Sequence, residues 1–100
     1  MTPQYSEPQV RIVTYNLKGP ATSYVQFYET LKAQGPWWHY LPSTWLIHTT
    51  KTTQEISDAV RTHMQTGDHL LVGTLQDGYS GWLPKAAWEW IKSKGLSSRP

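Results

Sequence analysis

The stretch GPWWHYLPSTWLIHT, residues 35 to 49, decides the fold. It holds three of the six tryptophans of the chain, together with one tyrosine and two histidines. WWHYL and STWLIHT are rich in aromatic and β-branched residues, which is typical of strands. Pro42 separates them and has no N–H to donate to a sheet, so it suits a turn. The stretch therefore predicts a tight β-hairpin.

The residues before the hairpin predict a strand and a helix. VRIVTYNL, residues 10 to 17, has apolar side chains at both alternations, which indicates a central strand buried on both faces. A helix is predicted over 23–34, where apolar residues recur at helical spacing and Gly35 can end the helix. These apolar residues are Tyr24, Phe27, Tyr28 and Leu31.

The residues after the hairpin predict a second helix and a last strand. Thr52 followed by Glu55 has the spacing of a capping box, in which two side chains satisfy free N–H groups at a helix start. The helix is predicted to end at Gly67, with an apolar stripe of Ile56, Ala59, Val60 and Met64. HLLVGTLQ, residues 69 to 76, predicts the strand.

A third helix is predicted after a polar, glycine-bearing loop at 77–81. Pro84 suits its first turn and Gly95 its end. Its side chains facing the sheet are predicted to be Ala87, Trp88 and Ile91.

The order β-α-β-β-α-β-α predicts an α+β fold, a ferredoxin-like βαββαβ sandwich with an additional C-terminal helix. We expect one domain over 9–95, with flexible termini at 1–8 and 96–100. Two helices on one face of the sheet leave the other face uncovered. The third helix can cover part of that face and a second copy of the chain the rest, so we expect a homodimer.

Composition excludes several classes of function. The chain of 100 residues has no cysteine, which excludes disulfides, thiol catalysis and cysteine-bound zinc, and we expect a cytoplasmic protein. Its net charge of +2 is too small to indicate a nucleic-acid binder by charge alone. No apolar run approaches the roughly 20 residues that span a bilayer, so no membrane role is expected.

Four segments resemble the SinR-like family of short bacterial and phage proteins. They are TYNL, WWHYLPSTWLI, DHLLVGTL and GWLPKAAWEWIKS, and the likeness covers about residues 10 to 94. Its most specific part is Trp37-Trp38-His39 followed by Ser43-Thr44-Trp45. The family is similar in turn to the ferredoxin-like CRISPR-associated ribonucleases and a related toxin group, which implies the same fold and a dimer. It implies no established activity, because fold similarity does not transfer chemistry.

Two positions depart from the patterns of these families. The aspartate that closes the first strand in the nuclease relatives is Asn16 here, and the aspartate before Ser-Thr-Trp in the SinR-like hairpin is Pro42. Divalent cations such as magnesium prefer anionic oxygen ligands, so both changes weaken a metal site. We therefore expect no metal, no cofactor and no catalytic residue, although a residual metal-dependent ribonuclease stays an alternative.

Nine residues are candidates for ligand binding. Alternation along a strand sends Trp37 and His39 to one face and Trp38 and Tyr40 to the other. One pair is expected in the core, and the other on the open face, either packed against the aromatic residues at 82, 88 and 90 or stacked on nucleobases. The full set is Asn16, Lys18, Trp37, Trp38, His39, Tyr40, Ser43, Trp45 and Lys85.

Two candidates have specific predicted roles. His39 can be a structural histidine, a ligand contact or a catalytic base. Lys18 and Lys85 lie in loops or helix ends near strand ends, where a lysine can meet a phosphate.

We expect a small non-catalytic binding protein that takes a nucleotide, oligonucleotide or nucleic-acid ligand through the aromatic hairpin. One alternative is a protein-interaction module of phage or mobile-element origin, whose apolar face docks on a partner protein.

Overall fold

A computed structural model describes residues 7–95 and shows a four-stranded sheet with helices on both faces. Residues 1–6 and 96–100, where most of the predicted flexible termini fall, lie outside the described residues. The strands are β1 Gln9–Asn16, β2 Trp37–His39, β3 Thr44–Thr49 and β4 His69–Leu75. The helices are α1 Val25–Lys32, α2 Thr53–Arg61 and α3 Lys85–Ser93, and a 3-10 turn, Ala21–Tyr24, precedes α1.

The strand order across the sheet is β2-β3-β1-β4, and every neighbouring pair is antiparallel. In β1, Val13 lies opposite Trp45 on one side and Val72 on the other. β1 therefore has a partner on both sides, which confirms the prediction of a central strand. The α+β class is confirmed as well.

Helices α1 and α2 pack on one face of the sheet and form the larger core. Strand alternation points the odd-numbered residues of β1 and β3 to this face. The capping box that the sequence predicts at α2 is present, since Thr52 and Glu55 each accept a hydrogen bond from the other's backbone N–H. The buried residues of this core are Val13, Tyr15, Tyr24, Phe27, Leu31, Trp45, Ile47, Ile56 and Val60.

Helix α3 packs on the opposite face and forms a smaller core. Its buried members are Val10, Leu46 and Ile91, with Trp88 and Trp90 partly buried beside them. Ala87 and Ile91 of α3 are buried as predicted, and Trp88 is half-buried. The third helix thus covers part of the face that the first two helices leave open.

Several elements are shorter than the sequence predicts, among them α1, which spans Val25–Lys32 where 23–34 is predicted. Helix α2 ends at Arg61 instead of near Gly67, because the chain continues in tight turns in which Met64 N–H donates to the Arg61 carbonyl. Strand β2 stops at His39, because the hairpin turn begins at once and Thr44 N–H donates to the Leu41 carbonyl.

Candidate binding site

The hairpin divides its aromatic side chains between the two faces of the sheet, as strand alternation predicts. The expectation that one pair lies in the core is wrong, since Trp37 is 41% exposed and His39 and Tyr40 are exposed as well. Trp37 lies opposite Ile47 and His39 opposite Trp45, so both point to the face of α1 and α2. Trp38 lies opposite Leu46 and points to the face of α3. The two sets therefore belong to different surfaces.

On the α1 side, Trp45 is the base of a stack of rings. It is 3% exposed, and its indole N–H donates to the Tyr15 hydroxyl at 3.0 Å. Burial raises the pKa of Tyr15 to about 12, so this hydroxyl keeps its proton at neutral pH. The His39 ring lies flat on Trp45, with centroids 4.3 Å apart, and Trp37 leans on the same indole at 4.9 Å. Trp45 therefore supports the exposed rings and does not itself face solvent.

On the α3 side, the hairpin forms one wall of an apolar groove of about 300 Å³. The segment between β4 and α3 forms the other wall, and the sheet forms the floor. Trp82 stands at the rim and is 98% exposed, while Tyr79 stacks on Trp88 with centroids 6.3 Å apart. The lining residues are Ile12, Trp38, Leu41, Thr44, Leu46, Leu75, Tyr79, Ser80, Gly81, Trp82, Leu83, Trp88 and Ile91.

The groove is neutral. Of the described residues that line it, none carries a charge, and the hydroxyl-bearing side chains are those of Thr44, Ser80 and Tyr79. Thr44 already donates its hydroxyl hydrogen to Thr14 at 3.2 Å. The groove is thus suited to a flat apolar group and offers no cation to a phosphate.

Of the polar residues that the sequence predicts for the site, some lie near this groove and others do not. Ser43 lies beside the end of β1, where its carbonyl accepts from Tyr15 N–H at 3.2 Å, and Asn16 at that end faces a shallow depression shared with Leu71. Lys18 lies farther along, with its side chain against Gly67. Lys85 forms an exposed ion pair with Glu89 at 3.9 Å and does not line the groove. The structure therefore does not bring the two lysines together with the aromatic residues of the groove.

The second wall of the groove is only partly predicted from the sequence, which names positions 82 and 88 as packing partners of the hairpin but not the segment around Tyr79. The sequence predicts a polar loop at 77–81. In the structure, Tyr79 in this loop and Trp82 and Leu83 just after it place apolar surface against α3 or at the groove. The signal that could have revealed this wall is the presence of three large apolar residues within the five positions 79–83.

A hydrogen-bond network around Asp68 fixes the loop that leads into β4. Its carboxylate accepts from Lys18 N–H at 2.7 Å, Gln65 N–H at 2.7 Å and the Tyr24 hydroxyl at 2.9 Å. Burial alone would raise the pKa of Asp68, but these donors outweigh it and lower the pKa below its usual range. The charged carboxylate is thus the form that holds the loop.

This network predicts a pH dependence of stability. A lowered pKa in the folded state means that the stabilisation is present at neutral pH and is lost as the pH falls through the folded-state pKa. We expect Asp68→Asn to lower the urea midpoint at pH 7, and the difference from the wild type to shrink as the pH falls below about 4. Asp58→Asn, which removes an exposed carboxylate of α2 bonded to Gln54, is the matched control. A difference for Asp68→Asn that is constant from pH 7 to pH 3 contradicts the role of the charge.

Three searches for known features gave negative results. Within residues 7–95, no group of three or more His, Cys, Asp or Glu side chains is placed to hold a metal ion. No helix in that range is long and apolar enough to cross a bilayer. Comparisons of the chain with protein-family models, curated proteins and solved structures found no match.

Proposed function

We propose that this protein is a non-catalytic binding module that takes a flat aromatic group, the base of a nucleotide or of a single-stranded oligonucleotide, into the groove beside α3. One observation carries the proposal: three indoles, those of Trp38, Trp82 and Trp88, line a neutral groove, and Trp82 is 98% exposed. A large apolar ring in that position is costly unless another molecule covers it, since exposed apolar surface is unfavourable in water.

The energetics of stacking fit this groove. Each base stacked on an aromatic side chain contributes about 1–3 kcal/mol, whatever the base, because every base has a π face. The volume of about 300 Å³ is at the lower end of ligand pockets, which suits a base and not a larger molecule. Since no cation lines the groove, the phosphate stays in solvent. Binding is therefore expected to depend only weakly on salt, unlike binding driven by phosphate contacts.

The experiment is a calorimetric titration of the full chain with mononucleotides and short single-stranded oligonucleotides. We expect Trp82→Ala to weaken binding about 5- to 100-fold, as the loss of one stack predicts. The same variant should change the free energy of unfolding by no more than about 0.5 kcal/mol, because an exposed side chain contributes little to folding.

Val25→Ala is the matched control, because Val25 is an exposed apolar residue of α1. We expect it to bind as the wild type does. The proposal is wrong if Trp82→Ala and the wild type bind these ligands with equal affinity, or if no ligand binds the wild type.

We propose the finer fold assignment as well. The order β2-β3-β1-β4, with α1 and α2 on one face, supports a ferredoxin-like sandwich with α3 added on the other. Kinship with the SinR-like family rests on the hairpin sequence and stays a proposal, and the cytoplasmic location stays a prediction.

A second function, docking of a partner protein, is favoured by the rim of the groove. Leu41 and Trp82 line the groove and are exposed, and the exposed ring of Tyr40 stacks on Trp38 with centroids 5.7 Å apart, so apolar surface continues beyond the groove. Aromatic-lined grooves of this kind also take proline-rich peptides. Binding of such a peptide, with no response to nucleotides or oligonucleotides, would replace the first function by the second.

A further inference from the structure

Strand β4 is an edge strand without the usual protection. It lies at the end of the order β2-β3-β1-β4, so within the described residues one side of its backbone has no strand partner. Its seven residues, HLLVGTL, include no proline, lysine, arginine or acid. Its register with β1 runs without a bulge from Leu75 to His69. Edge strands of natural proteins usually carry such residues or bulges to prevent pairing with another chain.

Strand β4 carries an exposed leucine and, two positions further along, a glycine that has no side chain. Leu71 is 69% exposed, and Gly73 lies two positions further along on the same face of the sheet, since their β1 partners are Thr14 and Ile12. Gly73 has no positive φ, and a Cβ built there meets only the Ile12 side chain, at 3.5 Å. The fold of a single chain therefore does not require a glycine at this position.

We propose that two copies of this chain pair along β4, antiparallel and centred on Val72, to form one continuous eight-stranded sheet. In this register Val72 lies opposite the partner's Val72, and Leu71 lies opposite the partner's Gly73. Each exposed leucine then covers the space that the missing side chain leaves on the other strand. The two-fold symmetry repeats the contact, as an isologous interface requires.

The occupant is a second copy because β4 supplies both halves of the contact at the spacing that a two-fold axis needs. A foreign strand would need a leucine and a glycine in the same arrangement. Repulsion within β4 itself does not oppose the pairing, since the strand has no lysine, arginine, aspartate or glutamate. On the helix side, Thr53, Gln54 and Ser57 of α2 flank the middle of the edge and are uncharged, while Arg61 lies near its His69 end, away from the centre of the pairing.

This pairing is independent of the proposed ligand site. The groove is lined by residues from the hairpin, α3 and the segment before it, and Leu71 and Val72 are not among them. Loss of the dimer and loss of ligand binding can therefore be measured separately.

The test is cross-linking with single cysteines, which the absence of native cysteine makes unambiguous. Residues directly opposite in an antiparallel pair have Cα atoms about 4.5–5.5 Å apart, within the range of a disulfide. We expect Val72→Cys to form a disulfide-linked dimer of about 23 kDa, twice the 11.5 kDa of the chain, under mild oxidation. His69→Cys is the control on the same strand, because its distance to the partner's residue 69 is about 20 Å in this register. We expect it to remain a monomer on a non-reducing gel.

Light scattering keeps the test independent of cysteine chemistry. We expect the wild type to be a dimer at about 100 μM, and Leu71→Lys to raise the dimer dissociation constant at least 10-fold. Val25→Lys, which places the same charge at another exposed aliphatic position, should leave it unchanged. The proposal is overturned by a monomeric wild type, by a dimer that Leu71→Lys does not weaken, or by cross-linking of His69→Cys with none of Val72→Cys.

Discussion

Phe27→Ala is expected to lower the free energy of unfolding by about 3–5 kcal/mol, the largest effect of any single substitution considered. Phe27 is 0% exposed in the core beneath α1. Its ring meets the edges of Tyr15 at 5.1 Å, Tyr28 at 5.4 Å and Tyr24 at 6.3 Å between centroids. The substitution opens a cavity and removes these aromatic pairs at once.

A loss of that size is comparable with the whole stability of a domain of this length, about 5–15 kcal/mol. The measurement is urea unfolding followed by far-UV circular dichroism at 25 °C. Val25→Ala, at an exposed position of the same helix, is the control and should shift stability by no more than about 0.5 kcal/mol. A change below about 1 kcal/mol for Phe27→Ala would show that this core does not carry the fold.

The second large effect is expected for Gly35→Ala, at the entry of the hairpin. A Cβ at Gly35 would lie 2.4 Å from the carbonyl oxygen of His48, and the residue has a φ of +155°. The neighbouring hydrogen bond, from His48 N–H to the Pro36 carbonyl at 2.8 Å, fixes this close approach of the two strands. The added methyl must push β2 away from β3, at a cost of about 2–4 kcal/mol from overpacking and backbone strain.

Hydrogen exchange provides a second measurement, because the substitution is expected to displace the hairpin. Besides lowering the urea midpoint, Gly35→Ala should speed hydrogen exchange of the amides that join β2 to β3. Gly81→Ala is the control, because a Cβ there makes only an ordinary contact with Trp88 at 3.9 Å. Equal stability of Gly35→Ala and the wild type would contradict the close approach.

The elements of the fold are predictable from local signals. The alternation of 10–17 predicts a central strand, and the capping box at Thr52 fixes where α2 begins. The end of α2 at Arg61 is not predictable in this way, because the apolar residue Met64 continues the stripe beyond the helix. Met64 packs against the larger core from a turn instead. An apolar residue at helical spacing can therefore pack against the core from a turn, without being part of the helix.

The candidate site is predictable in one half only. The division of Trp37 and Trp38 between two faces follows from the period of a strand, which needs no knowledge of the fold. The groove also needs Trp82. The sequence names position 82 as a packing partner of the hairpin, but Trp82 lies in the loop before α3, and no periodicity predicts the path of that loop. The sequence predicts that Lys85 meets a phosphate because it lies near a strand end. The direction of its side chain depends on packing that the sequence does not reveal.

The unequal cores on the two faces have a consequence for dynamics. Nine buried residues form the core between the sheet and the α1 and α2 layer. Among the described residues, the core on the other face has three buried members, Val10, Leu46 and Ile91, and the tryptophans of α3 beside them are only partly buried. Sub-global opening requires less free energy where less apolar surface must be exposed. We therefore expect the α3 layer to detach first while the rest of the described residues stay native. A molecule bound in contact with both that layer and the sheet would stabilise the least stable contact of the fold.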